Sequence, residues 1–146
     1  MTLENICFRV RMFENDTDKD RSRKCILWLM ESLCEIDKTY LESHREIPGL
    51  YNTRVVYRIE DGEHWKDVFN ILKDGHGDCE DLACWRVAEL RSSGVKARPY
   101  IKWRKIDGSW LYHALVWRPG NQIEDPSLAL GMYQGKIVRK PIFVKP

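Results

Sequence analysis

The 146-residue sequence holds no run approaching the ~18 apolar residues of a membrane helix. No membrane partner is therefore expected. An excess of one charge sign is also missing. Lys and Arg number 24 against 22 Asp and Glu, and the net charge of +2 gives no footing for nucleic acid or an anionic surface. There is no CxxC pair, which argues against a zinc knuckle. The five cysteines (Cys7, Cys25, Cys34, Cys79 and Cys84) are odd in number and too sparse for a disulfide framework, which points to a reducing compartment. Glu4, Arg9 and Arg11 interrupt any apolar stretch that could act as a secretory signal. A cytoplasmic protein is expected, although a phage-encoded or delivered protein would look the same. Repeats and low-complexity linkers are absent, and the length suits one domain over 1–146 with its own core.

What is present is ordinary for a globular chain in apolar and charged content, at 43% and 32%. Aromatic residues are more telling: with six tryptophans, several are expected to line a cleft or cap the core.

Ile6, Phe8, Val10 and Met12 alternate with polar or small residues, which predicts a strand over 6–12. The stretch 15–18 reads as a turn and a source of helix caps. Ile26, Leu29, Met30, Leu33, Ile36 and Tyr40 keep helical spacing and predict a core-covering helix over 19–45, ended by Pro48-Gly49. An extended segment is expected over 50–59. A short helix over 65–72 follows, carried by Trp65, Val68, Phe69 and Leu72. Strands are predicted over 95–103, with Pro99 marking an edge or bulge, then over 110–117, 122–125 and 136–144. Asp107-Gly108 signals a hairpin. The result is an α+β domain, with helices first and then an antiparallel sheet.

The chemistry concentrates in Gly75-His76-Gly77-Asp78-Cys79-Glu80-Asp81. Leu82, Ala83, Val87 and Leu90 continue it at helical spacing, and Gly94 marks the stop. Cys79 therefore stands near a helix N-terminus, where unpaired N–H groups favour a thiolate. His113 lies on a later predicted strand, and Asp125 precedes Pro126. Taken singly, Cys79 reads as a buried thiol, His113 as a structural histidine and Asp125 as a turn former. The order Cys, His, Asp, with glycines around the cysteine, favours a catalytic triad. His76 is the alternative base. A metal site of His76, Cys79, Cys84 and His113 is disfavoured, because Cys79 and Cys84 stand five apart, which fits neither a knuckle nor one helix face.

Gly77-Asp78-Cys79-Glu80-Asp81-Leu82-Ala83, a helix ending at Leu90-Arg91-Ser92-Ser93-Gly94, a strand histidine and then Asp125-Pro126 together resemble the core of the transglutaminase-like cysteine-enzyme superfamily. The likeness spans about 65–132. It is also similar to the bacterial transglutaminase-like cysteine proteinases. The resemblance implies a papain-like α+β core, with the nucleophile helix packed on an antiparallel sheet. It implies Cys79 as nucleophile, His113 as base and Asp125 as the group that orients the imidazole. Some such proteinases bind calcium through acids beside the cysteine, which here would be Asp78, Glu80 or Asp81. Otherwise no cofactor is implied.

The expected activity is hydrolysis of peptide or isopeptide amides on a protein or peptide substrate, through a thioester acyl-enzyme. Cross-linking of glutamine to an amine would use the same triad. A catalytically idle binding or assembly module is the third reading. With three acids beside the cysteine, a bound cation or their outward orientation is expected to help form the thiolate, and His113 is expected to lower the thiol pKa further.

Overall fold

The computed structural model describes residues 19–133 and 136–146. The strand expected over 6–12 and the turn at 15–18 lie outside these.

Helix α1 spans Lys19–Ser43, close to its expected limits. Its buried stripe runs through Ile26, Met30, Leu33, Cys34 and Asp37, while Ile36 is 54% exposed. The apolar spacing predicted the helix correctly but misplaced its lower face by one residue. The reason is Asp37, whose Oδ1 accepts the Val68 N–H at 2.9 Å and so satisfies the first turn of the next helix. A polar residue that caps a neighbouring element is invisible to a hydrophobic pattern.

The segment expected to be extended over 50–59 divides. A 3₁₀ turn, Leu50–Asn52, buries Leu50 and Tyr51 and is followed by a two-residue strand β1, Val56–Tyr57. Helix α2, Val68–Asp74, starts three residues later than expected, because the Asp67 side chain caps it by accepting the Asn70 N–H. Gly75 ends it in the left-handed region, at φ 80°, where a side chain would be strained. Strand β2, His76–Gly77, pairs in parallel with β1.

Helix α3, Cys79–Ser92, is central. The sequence suggested one apolar face, yet Leu82, Ala83, Cys84, Trp85, Val87, Ala88 and Leu90 are all buried, together with Glu80 and Asp81. Ile26, Met30 and Leu33 of α1 share a cluster with Ala83, Cys84 and Val87 of α3. Ile101, Ala114 and Val116 close that cluster from the sheet side. On the other side, Leu82 and Trp85 join Leu50, Tyr51, Val68, Ile71 and Leu130. A helix clasped between two clusters needs apolar residues all round.

The main sheet is antiparallel in the order β3-β4-β5-β6. Its strands are β3, Arg98–Ile106; β4, Ser109–Arg118; β5, Gln122–Glu124; and β6, Phe143–Val144. Asp107 and Gly108 join the first two with φ of 49° and 80°, the two left-handed positions that a tight hairpin demands. Pro99 sits on β3, an edge strand, as expected. The last strand is far shorter than the 136–144 predicted, and Ile137 forms only an isolated bridge with Leu130. A short helix α4, Pro126–Ala129, was not foreseen. The architecture is α+β, with the nucleophile helix on an antiparallel sheet. Among the described residues, no helix is long and apolar enough to cross a membrane.

Candidate active site

Cys79 is the first residue of α3. Asp78 caps the helix by accepting the Asp81 N–H, and Asp81 Oδ2 accepts the Asp78 N–H in return at 3.2 Å. Gly77 approaches this box closely: a Cβ there would meet Asp81 Cβ at 3.0 Å and Leu82 Cδ2 at 3.4 Å. Asp81 Oδ1 also accepts the Lys66 N–H at 2.7 Å. The glycine and the acids thus set the angle at which the chain enters the helix.

His113 lies on β4, and its Nε2 is 2.9 Å from Asp125 Oδ2. The other Asp125 oxygen accepts the Leu128 N–H at 3.0 Å, capping α4, with Pro126 in its first turn. One carboxylate therefore starts a helix and fixes an imidazole. Its use of Nε2 leaves Nδ1 as the ring nitrogen to face a thiol.

The Cys79 sulfur meets the sheet beside the part of β4 that β5 does not cover, since β5 pairs only with 116–118. There it receives the backbone N–H of Ala114, the residue following His113. Its own hydrogen bond goes to Glu80 Oε2 at 3.1 Å, not to the His113 ring. The structure thus brings His113 and Asp125 into contact and sets the Cys79 sulfur against the backbone next to His113.

The electrostatics differ from expectation. The thiol was expected to ionise readily, but burial above all pushes its pKa well above the ordinary range, against the Ala114 N–H, which lowers it. The acids do not turn outward: Glu80 is 4% exposed and Asp81 fully buried. Burial and the neighbouring Asp78 push the Glu80 carboxyl up to about 8, and the same two causes raise Asp81 to about 9.

These acids do not suit calcium, which takes six to eight oxygens. Asp81 is engaged by two backbone N–H groups, and Glu80 by Cys79 and Tyr112. Among the described residues, no group of three or more His, Cys, Asp or Glu side chains is placed to hold a metal ion. His76, the alternative base, belongs elsewhere, with its Nδ1 3.1 Å from Glu60 and its carbonyl accepting from Lys66. Cys84 is buried and directed at the Met30 carbonyl. Of the tryptophans, Trp65 packs against the cluster beside Cys79, Trp85 is core, and Trp28 is 69% exposed.

Two residues escaped the sequence reading. The Tyr112 hydroxyl donates to Glu80 Oε1 and lies 3.2 Å from Glu63 Oε2. Tyr57 on β1 faces Cys79, Asp78 and Glu80, and burial followed by their charges raises its phenol pKa. Neither carries a local signal, because both reach the site through tertiary packing.

The fold thus sets the cysteine-led helix α3 against a sheet whose strand β4 carries His113, with Asp125, at the start of α4, in contact with that imidazole. The sequence model of the transglutaminase-like superfamily matches residues 29–118, more than half of the chain, and the chain belongs to that superfamily. The match includes Cys79 and His113 and ends before Asp125. No curated protein and no solved structure matches the chain. The superfamily includes cysteine hydrolases and acyltransferases.

Proposed function

We propose that this chain is a cysteine hydrolase that cleaves peptide or isopeptide amides in a protein or peptide substrate, using Cys79, His113 and Asp125. The observation that carries the reading is the 2.9 Å contact between His113 Nε2 and Asp125 Oδ2, one residue from the backbone N–H that holds the Cys79 sulfur.

Asp125 fixes the imidazole tautomer and stabilises the cation that forms. Because burial disfavours the thiolate, His113 Nδ1 takes the proton as the sulfur attacks the carbonyl carbon, rather than beforehand. The Cys79 backbone N–H, unpaired at the helix start, is the natural donor to the oxyanion. His113 then passes the proton to the leaving amine, and a thioester remains. Water completes hydrolysis, with His113 again as base. No step calls on a metal or cofactor. An amine in place of water would give transamidation by the same residues.

The test uses labelled casein, with cleavage and incorporation of a fluorescent primary amine followed in parallel. Cleavage without incorporation, reduced at least 10³-fold in Cys79→Ala and His113→Ala, is the expected result. Incorporation as the main product would make the protein a transferase. Neither activity, together with equal alkylation of Cys79 and the other cysteines, would mark an idle module.

A further inference from the structure

Glu80 is not part of the triad, yet it makes more polar contacts at the site than any triad member. Oε2 accepts from the Cys79 thiol at 3.1 Å, and Oε1 meets the Tyr112 hydroxyl. The carboxyl also contacts that of Asp78. The Tyr112 hydroxyl in turn lies 3.2 Å from Glu63 Oε2. These are four contacts, but the thiol and the phenol supply one proton each. An ionised carboxylate donates nothing. With the Tyr112 hydroxyl shared between Glu80 and Glu63, one more proton must reside in the cluster for the Glu80–Asp78 contact to be a hydrogen bond rather than an oxygen–oxygen repulsion. Asp78 is committed to the cap of α3, and Glu63 is exposed to water. Glu80 is the buried carboxyl at the centre.

We propose that Glu80 works as a neutral carboxylic acid, a positioning residue that takes the Cys79 thiol hydrogen on one oxygen and turns its own proton toward Asp78. The proposal rests on Cys79 being the nucleophile. Among the described residues, the groups that face Glu80 include Cys79 and Asp78 from its own turn, Tyr112 from β4, Glu63 from the loop before α2 and Tyr57 from β1. None of them is a cation that would hold Glu80 ionised. The raised pKa at this carboxyl agrees with the donor count.

The consequence is catalytic. An anionic carboxylate 3.1 Å from the sulfur would oppose every step that charges it. A neutral acid accepts from the S–H form. After half a turn of the carboxyl it donates to the S⁻ form, so it orients the sulfur in both states. Glu80 therefore keeps the buried thiol aimed until His113 removes its proton.

The experiment measures the alkylation rate of Cys79 by iodoacetamide between about pH 6 and pH 7, below the raised pKa of Glu80, in wild type, Glu80→Ala and Glu80→Gln. Glutamine copies the neutral acid, with an oxygen that accepts and an N–H that can donate to Asp78. The expected result is that Glu80→Ala changes the rate and Glu80→Gln restores it to within about twofold of wild type. A Glu80→Gln rate about tenfold or more above wild type, equivalent to about one unit in the thiol pKa, shows that the native residue is charged and overturns the proposal. Infrared spectra of glutamate-labelled wild type near pH 7 give a readout that does not depend on a variant folding. A carboxylic-acid carbonyl band is expected, and its absence overturns the proposal. Alkylation and infrared spectra read the thiol and the acid alone. Failure of the hydrolase reading would appear in the casein assay and leave this result standing.

Discussion

At the scale of single residues, the site depends on how little room surrounds it. Gly77 is extended rather than left-handed, so its glycine is there for space and not for backbone freedom. Its missing Cβ leaves Asp81 free to fold back onto the Asp78 N–H and to hold the Lys66 N–H. Gly77→Ala should push the Asp81 carboxyl off one of those donors and destabilise the protein by about 1–3 kcal/mol. Urea unfolding measures this, and an unchanged midpoint would show that the capping box yields without cost. The same crowding explains why the thiol is hard to ionise: a sulfur surrounded by packed side chains loses the water that would solvate its charge. The sequence showed the acids beside Cys79 but not their direction. First-turn acids normally face solvent and complement the dipole. These are drawn inward, because Tyr112 and Lys66 supply donors from elements that lie far away in the sequence.

At the scale of elements, Asp125 joins two jobs that a substitution can separate. Its Oδ1 starts α4 and its Oδ2 holds His113. Asn keeps a carbonyl oxygen for the Leu128 N–H, but it cannot both cap the helix and stabilise an imidazolium. Asp125→Asn is therefore expected to keep the urea midpoint near wild type while casein cleavage falls by several orders of magnitude. Asp125→Ala loses cleavage and also about 1 kcal/mol of stability. Equal stability losses in both would assign the residue to capping through its charge rather than its oxygen. Asp125-Pro126 reads in the sequence only as a turn, so the start of α4 escapes notice: a four-residue helix leaves no periodicity behind its cap, whereas length or a marked end makes an element legible. For the same reason α1, α3 and the β3–β4 hairpin were readable: each is long or carries a turn signal that fixes its ends. The two-residue β1 and β2 were not, because they are held by parallel pairing to each other and by backbone bonds such as Tyr57 N–H to the Leu130 carbonyl. The C-terminal strand shrank because most of its alternating residues have no partner strand to meet.

At the scale of the whole molecule, the buried acids make stability depend on pH in an uncommon direction. A carboxyl whose pKa rises on folding binds its proton more tightly in the native state than in the unfolded chain. Between the two pKa values the native state holds more protons, so stability falls as pH rises. For Glu80 that window runs from its unperturbed value of 4.5 to about 8. Burial sets the same sign for Asp37, Asp78, Asp81 and Glu89. Each such group contributes at most about 1.4 kcal/mol per pH unit within its window, and less where two carboxyls share a proton. The urea midpoint of wild type is therefore expected to fall steadily from about pH 5 to pH 8, by an amount equivalent to a few kcal/mol. Glu80→Gln removes one titrating group and should make the slope shallower without removing it, since the other four remain. A midpoint that is level or rises across this interval would mean that the acids ionise in place, with the proton cluster around Cys79 lost as well. If the fall is seen, then the fold tolerates Glu80 and Asp81 because they are neutral, and ionising them would strain the packing that aims the nucleophile.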